Sequence, residues 1–151
     1  MSLGKIEYWW ELDARDVRPR GFFQAVARAL PSATTLFAEG CTIHPSVLSA
    51  LEPLRESGPY LPGRDTFYPK STLRRYTFGP RLVSELEKLL SAREPSDIFD
   101  HVTIYERSRP LLYWHDAFDN VLRIGGSVSE STVKELAAKL GVTYVNSRED
   151  R

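Results

Sequence analysis

The chain announces its elements through changes of hydrophobic period. From Lys5 to Asp13 apolar and polar positions alternate, with Ile6, Tyr8, Trp10 and Leu12 on one side and Glu7, Trp9 and Glu11 on the other. A period of two predicts a strand with one buried face. From Arg20 to Leu30 the spacing becomes helical, gathering Phe22, Phe23, Val26, Ala27 and Leu30 on one side until Pro31 stops it. Thr34 to Ala38 reads as a second strand, closed by Gly40. A helix then starts at Pro45, with an apolar stripe of Val47, Leu48, Leu51 and Leu54 and an early end at Pro53.

The pattern returns after an irregular stretch. A helix with Pro80 in its first turn carries Leu82, Val83, Leu86, Leu89 and Leu90 on one face and ends before Pro95. Three short strands follow at His101 to Arg107, Leu111 to His115 and Val121 to Ile124. Their separations are too short for parallel crossovers, so they predict an antiparallel meander. A last helix, capped by Ser129 and stopped by Gly141, turns Val133, Leu136, Ala137 and Leu140 inward. Val142 to Val145 adds a further short strand, and Ser147 to Arg151 is a polar tail expected to fray.

Between these blocks, residues 57–80 form a Pro- and aromatic-rich insert with Pro59, Pro62, Pro69 and Pro80 and a short strand at Thr72 to Phe78. Its aromatic content is too high for a flexible linker. The expectation is therefore one α+β domain over residues 1–151. It has a mixed sheet, about four helices mainly on one face, and the three-strand meander near its C-terminus.

Composition narrows the function classes. The chain has 151 residues, enough for one hydrophobic core, and 20 basic residues balance 20 acidic ones. Zero net charge argues against a general nucleic-acid binder. Cys41 is the sole cysteine, so no internal disulfide framework exists, and a reducing, cytoplasmic setting is expected. In that setting Cys41 reads as a small buried hydrophobe. No stretch is long and apolar enough to span a bilayer, and no secretory leader pattern opens the chain.

Candidate chemistry is sparse. Phosphate-loop and nucleophile-elbow patterns are absent. The histidines are His44, His101 and His115. They share no zinc-ligand spacing, so neither a metal nor another cofactor is expected. His44 reads as a loop or cap residue. His101 and His115 fall on neighbouring meander strands and are the candidate proton-transfer groups, with Asp116 and Tyr105 as helpers. A direct pair between His115 and Asp116 requires the strand to have ended, because adjacent strand residues point to opposite faces.

The segment from Phe67 to Arg81 holds four basic residues, four aromatics and no acid. Tyr68, Lys70, Arg74, Arg75 and Tyr76 within it suit an anionic phosphate or carboxylate group. The competing reading is a packed loop whose aromatics plug the core. Trp9 lies on the polar side of its strand, and Trp114 points away from its apolar neighbours; both are candidate partner-binding residues. A sheet covered on both faces would instead bury them.

No enzyme class is assigned. The leading expectation is a non-catalytic interaction module for a protein partner. The alternative is a small enzyme or binding protein for an anionic ligand, built from Lys70, Arg74 and Arg75 with His115 or His101. Single-stranded nucleic acid ranks last. Membrane association is not expected.

Overall fold

The computed structural model describes residues 8–31, 34–57 and 72–148. The order is β1 (Tyr8–Leu12), α1 (Phe22–Ala29), β2 (Thr34–Gly40), α2 (Pro45–Leu51), β3 (Thr72–Phe78), α3 (Pro80–Ala92), β4 (His101–Glu106), β5 (Arg109–Trp114), β6 (Leu122–Gly125), α4 (Glu130–Leu140) and β7 (Tyr144–Asn146). Short 3-10 turns at Glu52–Leu54 and Pro95–Asp97 follow α2 and α3. The α+β class, the four helices and the meander are as expected. Tyr68 and Lys70 lie outside the described residues.

The seven strands form one sheet in the order β3-β2-β4-β5-β6-β1-β7. Every described pairing is antiparallel, so the sheet is larger than the meander and not mixed in direction. Following the pairings shows that β1 and β2 still run the same way. The β1-α1-β2 crossover is real, but β4, β5 and β6 fill the space between its two strands. The meander is thus the centre of the sheet rather than an appendage.

All four helices share one core with a single face of the sheet. Phe22, Val47, Leu82 and Val133 pack in the same cluster as Leu12, Leu36, Ile104, Leu112 and Leu122. The α1 helix contacts both α3 and α4. At the middle of this layer Phe22 lies 4.6 Å from Trp114 and 5.1 Å from Phe23, ring centre to ring centre. Trp114 has no exposed surface, and its indole N–H donates to the Asn120 carbonyl at 2.8 Å. Trp114 is therefore a core residue and not a surface contact for a partner, which corrects the expectation above. Its alternation partner is Leu112, not Tyr113, so it turns inward.

Local signals act where they were read. Ser129 caps α4 by accepting from the Thr132 N–H at 3.3 Å. Gly141 ends it in the left-handed region, φ 68°, with its N–H directed to Ala137 and Ala138. Two irregularities were not visible in the pattern. Tyr8 pairs with Gly125 and Trp10 with Ile124, so Trp9 is an extra residue, a β-bulge. The bulge breaks the alternation: Trp10 and Leu12 join the helix-side core, whereas Tyr8 stacks on Tyr113 at 5.8 Å on the opposite face. A second bulge lies between Ile104 and Tyr105 and accommodates Pro110 inside β5, which lacks a ladder N–H.

Cys41 is exposed rather than buried. It sits just beyond the end of β2, where its backbone N–H donates to the Asp100 carboxylate at 2.9 Å. The tail is not wholly frayed. Ser147 donates its N–H to the Trp9 carbonyl at 2.8 Å and its hydroxyl to the Tyr8 carbonyl at 3.0 Å. No helix among the described residues is long and apolar enough to cross a membrane.

Candidate functional site

The sheet face opposite the helices carries the residues that alternate with the core. Phe37 and Tyr105 meet edge to face at 5.4 Å, and Thr103 lies beside Tyr113 across β4 and β5. Phe37, Thr103, Tyr105 and Glu39 are all buried there. Moving along this face, Tyr8 stacks on Tyr113, and the Tyr113 hydroxyl is 3.1 Å from His115 Nδ1. The aromatic row ends at the sheet corner where β4 begins and β5 ends.

Three titratable groups converge at that corner. His101 opens β4. His115 and Asp116 follow the last residue of β5, Trp114. Because the strand has ended, the alternation that would separate His115 from Asp116 no longer applies. Asp116 adopts the left-handed region, φ 49°, and its carboxylate turns back towards both rings. Its Oδ1 is 3.7 Å from His101 Nδ1, and its Oδ2 is 3.5 Å from His115 Nε2. The Asp116 N–H donates to His101 Nδ1 at 3.0 Å. A second tie, from the Ala117 N–H to the Asp100 carbonyl at 2.7 Å, fastens this turn to the start of β4.

Electrostatics distinguish the two imidazoles. The His101 side chain is 16 % exposed and that of His115 is 52 % exposed. Burial, and then the neighbouring His115, hold His101 below the ordinary histidine pKa, against the opposing pull of Glu39, Asp116 and Asp100. The Asp116 N–H occupies the Nδ1 lone pair, so neutral His101 carries its proton on Nε2. Donor atoms of His101, His115 and Asp116 all lie within 4.8 Å of one another. This corner is the place where a cation or a proton can be shared, and it was not legible as a ligand pattern in the sequence.

The remaining expected site residues lie elsewhere. Arg75 is across from Phe37, which is across from Thr103. That places it two strands and two residues from His101, about 12 Å between Cα atoms. The Arg75 Nε donates to Glu56 at 3.1 Å, and its guanidinium sits 5.8 Å from the Phe37 ring centre. Arg74 points to the other side of β3 and donates to the Leu73 carbonyl at 3.3 Å. Tyr76 is in the helix-side core, where burial pushes its hydroxyl up to about 12. Arg74, Arg75 and Tyr76 thus do not face one common point. Tyr105 is buried beside Phe37, four residues along β4 from His101.

Trp9 is half-buried. It packs over Gly126 and against the edge of the core, with the Arg148 guanidinium 3.4 Å above its ring centre. His44 caps α2, accepting from the Ser46 N–H at 3.1 Å. Sequence reasoning passed over Tyr8 and Tyr113. The signal for Tyr113 was present, since it stands two residues before His115 and so shares its face. A separate, mainly apolar groove runs between α1 and α3, lined by Ala27, Leu30, Phe78 and Val83. It is remote in the fold from the histidine corner, on the helix side of the sheet. Compared with protein-family models, curated proteins and solved structures, the chain matches none.

Proposed function

We propose that this protein is a non-catalytic interaction module that engages a protein partner through the sheet face opposite its helices. The observation that carries the reading is the continuous row of Tyr8, Tyr113, His115 and His101 on that face. Tyrosine presents a large, rigid surface with a polar tip, a combination favoured at interfaces. Arg123 and Glu11, paired at 3.9 Å and both on this face, form a charged rim. The histidine corner supports binding better than catalysis, because His115 and Asp116 stand open to water rather than in a dry pocket.

The test is positional. A photo-crosslinking amino acid at Tyr113, and separately at exposed Lys134 on α4, is introduced into the full chain and irradiated in native cell extract. An adduct formed from position 113 and absent from 134 supports the reading. Equal adducts at both positions, or none at 113, overturns it.

A further inference from the structure

We propose that His101, His115 and Asp116 form a binding site for a divalent transition-metal ion of the zinc class, with three protein ligands and one position open to solvent. The inference stands on ligand geometry alone, so it can fail while the partner-binding reading survives, and the reverse.

The donor set comes first. Two imidazoles with one carboxylate suit zinc, nickel or copper, whereas magnesium and calcium prefer oxygen-only cages. The spacing follows. Tetrahedral bonds of zinc-ligand length put neighbouring donor atoms about 3.3 Å apart. The Asp116 carboxylate comes within 3.7 Å of His101 Nδ1 through Oδ1 and within 3.5 Å of His115 Nε2 through Oδ2, so whichever oxygen serves as the ligand starts close to one imidazole. With one donor atom from each residue the whole set lies within 4.8 Å, which leaves at most about 1.5 Å to close on any edge.

The orientation of the two rings identifies what must move. The two rings are stacked, 9° from parallel with centres 4.1 Å apart. Parallel rings aim their lone pairs side by side, so both cannot meet one ion in the stacked arrangement. His115 lies in a turn and its side chain is 52 % exposed, so its ring can swing towards Asp116 without disturbing the core. His101, 16 % exposed and held in β4, supplies the fixed point.

Proton placement is compatible. The Asp116 N–H already selects the His101 tautomer with Nδ1 as the electron-pair donor. An ion at Nδ1 replaces that N–H as the acceptor of the pair and requires no shift of the ring proton, while the released N–H lies at a solvent-exposed residue. For His115, the Tyr113 hydroxyl beside Nδ1 can accept its N–H, leaving Nε2 as the ligand atom on the Asp116 side. A hydrogen-bonded far nitrogen is the usual support of a metal-bound imidazole. The left-handed backbone at Asp116, a costly conformation for a non-glycine residue, holds the carboxylate between the rings.

The test uses the chelator-treated full chain. Zn²⁺ is titrated calorimetrically and Co²⁺ by its visible absorption, which reports tetrahedral ligation. The expected result is one ion per chain, with affinity lowered more than about tenfold by His115→Ala and by Asp116→Asn, since even an outer hydrogen-bond partner of a ligand is commonly worth about that much. His115→Ala removes a half-exposed ring and leaves the fold intact by circular dichroism. His44→Ala and Cys41→Ser, which alter the other histidine outside the site and the free thiol, leave affinity unchanged. Absence of 1:1 binding by the wild type overturns the proposal. So does binding that survives His115→Ala or disappears with Cys41→Ser.

Discussion

The imidazoles of His101 and His115 stack at 4.1 Å, although they belong to different strands and are separated by the whole β4–β5 hairpin. Burial, and then the His115 ring at this distance, disfavour a proton on His101. Together with the Asp116 carboxylate, the stacked pair makes the corner of the sheet sensitive to anything that supplies positive charge, whether a proton, a metal ion or a basic side chain.

Stability should therefore depend on pH through His101. Its folded pKa is held below the unfolded value of 6.5. Above 6.5 the ring is neutral in both states, and the contribution is fully present. As pH falls below 6.5 the unfolded chain takes up the proton first, and stability is lost until pH has passed through the folded pKa. Denaturant unfolding of wild type and His101→Gln between pH 7.5 and 5 checks this. The wild type should lose more stability than the variant over that interval; equal losses would contradict the assignment.

Trp114 and Trp9 should respond very differently to truncation. Trp114→Ala removes a fully buried ring that touches Phe22 and Phe118, at 4.6 and 4.5 Å. It should cost about 3–5 kcal/mol in guanidinium unfolding. Trp9→Ala, at a half-buried bulge, should cost roughly half that or less. Comparable losses would mean that the bulged indole belongs to the core.

The close approach of Gly126 to Trp9 offers a coupling test. A Cβ on Gly126 would run into the Trp9 indole. Gly126→Ala should destabilise by about 1–3 kcal/mol in the wild type. In a Trp9→Ala background most of that penalty should vanish, giving a non-additive double-mutant cycle. At Gly125 the obstacle is the Pro110 carbonyl oxygen, 2.5 Å from the built Cβ, and no side-chain truncation should relieve it. Additive losses for Gly126→Ala and Trp9→Ala would contradict the packing.

What the sequence disclosed and what it concealed follows from the range of each interaction. The Ser129 cap, the Gly141 stop and the Thr72–Phe78 strand depend on a few neighbouring residues and were readable. The bulge at Trp9 leaves the alternation of letters unchanged, so only the pairing with Gly125 and Ile124 reveals that Tyr8 changes face. The convergence of His101, His115 and Asp116 needs the β4–β5 register, the end of β5 at Trp114 and a left-handed Asp116 together. None of these is a local property. Cys41 was misplaced for a related reason: its exposure follows from its position just beyond β2, not from its hydrophobicity.

The most direct measurement of the central claim is a nuclear magnetic resonance titration of the isotopically labelled protein with the partner captured through position 113. The account predicts perturbations at Tyr8, His101, Tyr113 and Arg123, on the sheet face opposite the helices, and quiet signals at Gln24 and Lys134 on the helical side. Perturbations centred on Gln24 and the α1–α3 groove, with the sheet face unchanged, would contradict it.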